Sequence, residues 1–475
     1  MKLLEAGRVH FVGIGGVGMS ALAKVLMERG VLVTGSDLKR SRAATMLEAM
    51  GANIFFGHAS GNVDGADAVI VSSAIPMRNP ERARAGELGV IVITRGEALA
   101  ALLEEHPSLV VAGTHGKTTT TSMAISILHA AGLDPTYLVG GALNDAGSNA
   151  KSGSDDLVVA ESDESDGSFL LLSPTVAVVT NVEADHLDHW ASLEAIEAAF
   201  KTFITRESRD GAVVLPEPYL ELRAAAAAAG RRAVTFGEGG DVYAENVSVP
   251  DPWGTRFSLC TASGMAETAL CVPGMHNVAN ALAAAAACME MGVSLEAAAH
   301  GLSRYRGVER RFQLRGRARG VTVVDEYAHH PTEVRASMAA ARLGGWRRLV
   351  AVFQPHLYSR TAAFARDFGA AFEDADAIVI TDVYGAREQP VPGVSGKLVA
   401  DAACGYYPGR PVAYLPHRDE LLRYLTGFLR EGDLLLTLGA GDITLVGEVM
   451  LDQLRGARRG SRARPGSPRK SRVAE

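Results

Sequence analysis

SLVVAGTHGKTTTTSMAISILHAAG, residues 108–132, reads as a buried strand, a glycine turn and an apolar helix in immediate succession. A glycine turn that opens a helix aims backbone N–H groups at phosphate oxygens, and the helix N-terminus favours negative charge. The stretch Gly113, Thr114, His115, Gly116, Lys117, Thr118, Thr119 is therefore a candidate cradle for ATP, with Lys117 reaching the β/γ-phosphates and Thr118 holding Mg²⁺. Its spacing departs from the usual P-loop, because only Thr114 and His115 separate the two glycines. A plain glycine turn with a solvated lysine would leave the flanking strand and helix without a purpose.

Downstream, two more strands end in acidic residues. Glu161 ends DLVVAE, and Asp185, His186 and Asp188 follow TVAVVTN. Open α/β sheets keep their ligands beyond the carboxyl ends of the strands, so both clusters are expected to face the nucleotide. Hard carboxylate oxygens suit Mg²⁺ and a neutral imidazole can complete the shell of a second metal, which makes Thr118, Glu161 and His186 the expected metal ligands. Two metals would neutralise the charge on a transferring phosphoryl group. The competing readings are a solvated strand-end acid for Glu161 and a capping or hydrogen-bonded histidine for His186.

Upstream, Gly13, Gly15, Gly16 and Gly18 form a second glycine turn, and Asp37 ends the next strand. This resembles a dinucleotide fingerprint, yet such a turn holds any diphosphate. A chain with two cradles needs two anions: ATP, and a substrate with its own diphosphate, such as a nucleotide sugar. Ser72, Ser73 and Ala74, after the strand AVIV, line the same crevice, or the serines merely cap the strand end.

The whole chain fits this picture. Its 475 residues exceed what one core usually supports, and 47% hydrophobic with 21% charged residues predicts a folded globular protein. Strand and helix patterns alternate over residues 1–105 and again beyond 313; antiparallel-looking strands occupy residues 230–272. A net charge of -7 gives no reason to expect nucleic acid or an acidic membrane face as partner. The four cysteines, Cys260, Cys271, Cys288 and Cys404, have no paired spacing, and no signal peptide or membrane span is read, so a cytoplasmic location is expected. The last stretch, RGARRGSRARPGSPRKSRVAE, reads as a disordered basic tail.

GIGGVGMSALA, AGTHGKTTT, ESDESDGSF, TNVEADHLD, PGMHNVANALAA, RRFQ, DEYAHHPTE, FQPHLYSR and LGAGD occur in this order, and the series resembles that of the Mur ligase family over residues 8–445, in particular its L-alanine-adding branch. The resemblance implies an α/β protein of three domains: a Rossmann-like UDP-sugar-binding domain (1–105), a central P-loop ATPase with a parallel sheet plus a small antiparallel sheet (106–312), and a Rossmann-like amino-acid-binding domain (313–454), followed by the tail (455–475). It implies ATP- and Mg²⁺-dependent joining of the lactyl carboxylate of UDP-N-acetylmuramate to L-alanine through an acyl phosphate, in peptidoglycan precursor synthesis. Small molecules would be the only partners, on a monomer or weak homodimer. Phosphorylation gives the carboxylate a leaving group, so the protein supplies mainly positioning and charge neutralisation.

By the same resemblance, Lys117, Glu161, His186, His329 and Arg360 would be catalytic. His276, Asn277 and Asn280 would lie near the nucleotide base, although Asn277 equally reads as a helix cap. Arg311, Asp325 and Tyr327 would touch the nucleotide, and Arg310 and Arg311 either reach a phosphate or sit in a solvated hinge. Substrate contacts would come from Gly15, Gly16, Gly18, Met19, Ser20, Asp37, Ser72, Ser73, Ala74, Ser162, Asp163, Glu164, His356 and Tyr358. Of the adjacent histidines, His329 is read as functional and His330 as structural. The family commonly has DDYGHHP where this chain has DEYAHHP, so Glu326 and Ala328 depart from it. Lys201 lies where some relatives carry a carbamylated lysine and is read here as an exposed helix lysine.

Other activities account for less. A tripeptide-recycling ligase would tend to lose FQPHLYSR. A folylpolyglutamate synthase would not need the first glycine turn. A nicotinamide-dependent dehydrogenase would leave Lys117, Glu161 and His186 unexplained, and a non-catalytic nucleotide-binding scaffold would leave the paired acids so.

Overall fold

In the strand Arg8–Val12 every residue after the exposed Arg8 is buried, with Val9, Phe11 and Val12 apolar, as suits a central parallel strand covered on both faces. In the computed structural model, which describes residues 5–186, 189–206 and 211–460, it centres a five-stranded sheet. Side by side lie Asn53–Phe56, Leu32–Asp37, Arg8–Val12, Ala68–Val71 and Ile91–Thr94, all parallel. The strand order reverses across Arg8–Val12, so a crevice is expected between its end and that of Ala68–Val71. Asp188 lies outside the described residues.

The chain divides into two compact units, Met1–Glu309 and Arg310–Glu475. The first therefore holds both the five-stranded sheet and a second, ten-stranded one. In the latter, Arg232–Phe236, Ala212–Pro216, Val176–Val179, Ser108–Ala112, Val158–Glu161 and Thr136–Leu138 are parallel neighbours. The antiparallel strands Val242–Asp251, Gly254–Thr261 and Gly264–Leu270 are not a sheet of their own. They extend this one through the single pair Phe236 and Val242.

The helix Lys117–Ala130 packs on Ser108–Ala112 and Val158–Glu161 and against the helices Met275–Glu290 and Leu295–Arg304. Its four consecutive threonines weaken helix propensity. Burial compensates, and their hydroxyls find partners: Thr121 Oγ1 donates to Lys117 O at 2.8 Å and Thr120 Oγ1 to Asn280 Oδ1 at 3.3 Å. The small side chains of Ala283–Ala287 and the absence of one at Gly301 let the helices approach; a Cβ on Gly301 would stand 2.4 Å from Ile127 Cα.

The second unit is a six-stranded sheet in the order Gln313–Ala318, Val321–Glu326, Asp433–Leu438, Arg348–Phe353, Ala377–Ile380, Val412–Tyr414, parallel except for the first. The motifs DEYAHHP, LGAGD and FQPHLYSR thus emerge from three adjacent strand ends. Its last helix, Thr444–Gly460, continues through residues 455–460, which were expected in a disordered tail, because buried Leu451 and Leu454 anchor it to the core. The remainder of that tail lies outside the described residues. Among the described residues, no helix is long and apolar enough to cross a membrane.

Candidate active site

Gly113 and Gly116 adopt φ of +135° and +79°, in the left-handed half of backbone space that glycine tolerates. A Cβ on Gly113 would stand 2.0 Å from Thr180 Oγ1, and one on Gly116 would stand 2.4 Å from Asn280 Oδ1. The neighbouring strand end moulds the loop between them. Thr114 N donates to Asn181 O at 3.0 Å and His115 N to Asn181 Oδ1 at 2.8 Å, while His115 O accepts from Thr180 Oγ1 at 2.5 Å and Asn181 Nδ2 at 3.0 Å. Thr180 and Asn181 thus shape the cradle, although within TNVEADHLD the acids and the histidine draw attention first.

Lys117 Nζ folds back over the loop onto Gly113 O at 2.6 Å, Thr114 O at 3.1 Å, and both Glu164 oxygens at 2.8 and 3.1 Å. Burial opposes its charge, but Glu164, Asp163 and Glu161 more than offset this and hold Lys117 above the ordinary lysine range. Burial pushes Glu164 up to about 7 despite the pull of Lys117. Burial works against the Asp163 carboxylate too, and there Lys117, Ser165 and His186 prevail and hold it below the usual aspartate value. The cradle therefore carries a cation matched by acids, an arrangement that suits a phosphate together with metal ions.

Thr118 Oγ1 donates to Glu161 Oε1 at 2.9 Å, and Glu161 Oε2 accepts from Gly140 N at 2.7 Å. Asp163, Glu164 and His186 form a second group whose ligand atoms lie within 4.8 Å of one another, with His186 Nε2 3.7 Å from Glu164 Oε1. The expected set of Thr118, Glu161 and His186 is thus divided: the threonine meets Glu161, and the histidine meets Asp163 and Glu164. His186 has φ +51°, and its N–H donates to its neighbour Asp185 at 2.7 Å. Ser162 and Thr119 are buried. Asn277 Nδ2 donates to Pro273 O at 2.7 Å, tying the helix start to the preceding loop, while Asn280 lies against Gly116 of the cradle; His276 is half-buried beside them.

At the first glycine turn, Gly13 N and Ile14 N both donate to Ser36 O, and Gly15 N donates to Asp37 Oδ2 at 2.9 Å. Asp37 Oδ1 accepts from Lys39 N at 3.1 Å, so both oxygens brace the turn. Ser72 packs beside Gly13, and Ser73 and Ala74 are exposed next to it. The helix Val17–Glu28 begins directly after Gly16. Contrary to expectation, Met19 and Ser20 point no side chain outward, being 2% and 3% exposed, because the helical period turns them into the core. Arg95 lies across Gly18 instead: a Cβ on Gly18 would stand 3.0 Å from Arg95 Cδ and 3.2 Å from Nη1. Its Nη2 donates to Ser168 Oγ at 3.3 Å and lies 3.6 Å from Asp166. Nothing in TRGEAL distinguishes Arg95 from a solvated arginine, so only the packing reveals it.

In the second unit, Arg310 is committed internally. Its guanidinium donates to the carbonyls of Gly439 at 2.6 Å, Gly441 at 3.1 Å and Ala440 at 3.2 Å, and to Asp325 Oδ2 at 3.2 Å. Asp325 is fully buried and also accepts from Thr437 and Thr444, each at 2.7 Å. Where a nucleotide contact was expected of Asp325, the structure gives it three donors from its own unit, which brace the strand end. The Arg310 and Arg311 guanidinium groups sit over the Tyr327 ring at 4.9 and 5.0 Å. His329 meets Tyr327 edge-on at 5.2 Å and His356 at 5.9 Å, and His356 stacks on Tyr384 at 5.9 Å. His330 instead caps the helix Pro331–Arg342. Tyr358 is half-buried and Arg360 buried at the start of the next helix, Tyr358–Ala370.

Glu326, where the family commonly has aspartate, is buried and accepts from Phe312 N at 2.8 Å and Ala328 N at 3.1 Å. Burial pushes it up to about 7, against the pull of Arg311. A carboxyl whose folded pKa is raised stabilises the fold fully below its unfolded pKa, and that contribution fades as pH rises through about 7. Urea unfolding of the full chain should therefore show stability falling from pH 5 to pH 8 by up to about 3 kcal/mol on account of this group. Glu326→Gln should reduce that slope and leave the part that Glu164, also raised to about 7, contributes; an unchanged slope would place the burden elsewhere.

Three stretches match family models in succession: "Mur ligase family, catalytic domain" over residues 8–107, "Mur ligase middle domain" over 111–288 and "Mur ligase, glutamate ligase domain" over 310–441. The chain is 45% identical over 460 residues to UDP-N-acetylmuramate–L-alanine ligase of Renibacterium salmoninarum, covering 96% of this chain and 97% of that one. It is 46% identical over 468 residues to the ligase of the same name from Mycolicibacterium smegmatis, covering 95% and 96%. Among solved structures, UDP-N-acetylmuramate-alanine ligase from Thermotoga maritima superposes with a TM-score of 0.79 at 30% identity, covering 95% and 99%. A murein peptide ligase from Psychrobacter arcticus follows at 0.68 and 25%, covering 94% and 98%.

Proposed function

Because the chain belongs to the Mur ligase family, we infer that it is the ATP-dependent ligase that joins UDP-N-acetylmuramate to L-alanine in peptidoglycan synthesis. The observation that carries this reading is the pair of glycine turns in one unit, each opening a helix and each with its own cation, Lys117 at one and Arg95 at the other. Two such cradles suit a triphosphate and a diphosphate-bearing substrate. The greater likeness to the Thermotoga alanine ligase than to the murein peptide ligase favours a single amino acid as the acceptor.

The turn from Gly13 to Gly18, with Arg95, holds the diphosphate of the sugar nucleotide and fixes its lactyl carboxylate in place. Gly113 to Thr119 hold the ATP phosphates, with Asn280 at the nucleotide side of the cradle. Lys117 balances the charge that develops as the carboxylate takes the γ-phosphoryl group, a role that needs its ammonium protonated, as its surrounding acids keep it. In the second unit His329, His356, Tyr358 and Arg360, with Arg311 and Tyr327 alongside, hold the amino acid, whose amine displaces phosphate from the acyl phosphate. The donor set fits Mg²⁺, since Thr118 with Glu161, and Asp163 with Glu164 and His186, offer mainly hard oxygen ligands. When bound there, Mg²⁺ supplies neutralising charge for phosphoryl transfer. We place the reaction in the cytoplasm, on a monomer or weak homodimer.

Phosphate release from ATP tests this reading directly. Release should require both UDP-N-acetylmuramate and L-alanine, and fall to background when either is left out. Equal release with a tripeptide in place of L-alanine would point to the recycling reaction.

A further inference from the structure

Residues 139–149, the loop between the strands Thr136–Leu138 and Ala150–Lys151, touch more of the site than any assigned role requires. On one side the helix Val17–Glu28, whose N-terminus belongs to the first glycine turn, is fastened to the hairpin. Lys24 Nζ donates to Ala150 O at 2.5 Å, Glu28 Oε2 accepts from Ser152 N at 2.6 Å, and Arg29, next in the chain, donates to Ser152 Oγ at 3.2 Å and Thr136 Oγ1 at 2.9 Å. Asn149 Nδ2 reaches Val17 O at 3.4 Å and Val139 O at 3.3 Å, joining the first residue of that helix to the start of the loop.

On the other side, Gly140 N donates to Glu161 Oε2 at 2.7 Å, and Gly141 lies against Thr118. The loop also pairs with the last residues of its unit. Glu309 N donates to Ala142 O at 2.9 Å, Leu143 bridges to Val308, and Asn144 Nδ2 donates to Arg306 O at 3.0 Å. The loop is internally bonded as well, from Val139 N to Asn149 O at 2.9 Å and from Gly147 N to Leu143 O at 2.8 Å, so it can transmit a displacement rather than absorb it.

We propose that this loop couples the sugar-nucleotide turn to the ATP cradle, with Asn149 as the positioning residue that ties them. The proposal rests on the two-anion reading above. An anion that fixes the start of Val17–Glu28 fixes the loop, and with it the Gly140 N–H that orients Glu161 beside Thr118. Coupling of this kind is reciprocal, so each ligand tightens the other.

Calorimetric titration of the full chain with UDP-N-acetylmuramate, with and without a non-hydrolysable ATP analogue and Mg²⁺, measures it. In the wild type the analogue should tighten sugar-nucleotide binding by about 5-fold or more. In Asn149→Ala each ligand alone should bind within about 3-fold of wild type, while the coupling factor falls towards 1. Lys24→Met severs the same attachment farther along the helix and should give the same result if the first variant folds poorly. A coupling factor near 1 in the wild type, or an undiminished one in either folded variant, overturns the proposal. Failure of the sugar nucleotide to bind the wild type at all would overturn the function assignment instead.

Discussion

Lys117→Ala should lower phosphate release by roughly 10³-fold, about 4 kcal/mol of transition-state stabilisation, while UDP-N-acetylmuramate still binds. Lys117 is the cation drawn over the cradle, within 3.1 Å of both carbonyls at its mouth. Alanine removes that charge where phosphoryl transfer develops negative charge, and the first glycine turn keeps its own donors and Arg95. The variant has a second effect, because it strands Glu164, which is 2% exposed. Breaking a buried ion pair from one side typically costs about 3 to 5 kcal/mol, as the remaining charge goes unmatched. Here the cost is softened, since burial already pushes Glu164 up to about 7 and the carboxyl can take up a proton instead. Lys117→Ala combined with Glu164→Gln separates the two effects: it should regain thermal stability without regaining turnover. Steady-state ADP formation and titration with the sugar nucleotide check the prediction, and equal loss of turnover and sugar-nucleotide binding would argue against separate phosphate sites.

Gly113→Ala should both destabilise the first unit and disable the cradle. Its φ of +135° strains any L side chain, and the new Cβ would meet Thr180 Oγ1 at 2.0 Å, Thr180 N at 2.9 Å and Asn181 N at 3.1 Å. The hydroxyl could rotate away; the two backbone nitrogens cannot, since Thr180 N is bonded to Ala112 O at 3.0 Å. Strain of about 1 to 3 kcal/mol, with a similar cost for overpacking, predicts a loss of about 3 to 5 kcal/mol in urea unfolding. ADP formation should be nearly abolished, because the clash falls on the residues that shape the cradle. Gly132→Ala provides the control. It has φ of +84° with nothing within 4 Å of the added Cβ, so it should cost only about 1 kcal/mol of backbone strain. Comparable losses in the two variants would show that strain alone, not the close approach of the TNVE segment, makes Gly113 necessary.

Much of the site was legible in residue order because its chemistry is local. A turn of Gly113 and Gly116 between an apolar strand and helix, or acids directly after DLVVA, needs only neighbours in the chain to be recognised, and the same holds for the alternation that marks parallel sheets. What residue order left open depends on which surfaces meet. His329 and His330 are adjacent and chemically identical, yet one ring joins Tyr327 and His356 while the other caps a helix. Asp325 looks like a ligand until Arg310, Thr437 and Thr444 enclose it. Arg95 becomes a cradle residue only because its helix brings it across Gly18, and Asn149 a tie only because its loop reaches Val17. The backbone pattern and the glycine turns follow from sterics and hydrogen bonding within a few residues, so sequence alone determined them. The pairing of buried charges and the reach of distant side chains depend on long-range packing, and those the tertiary structure decided.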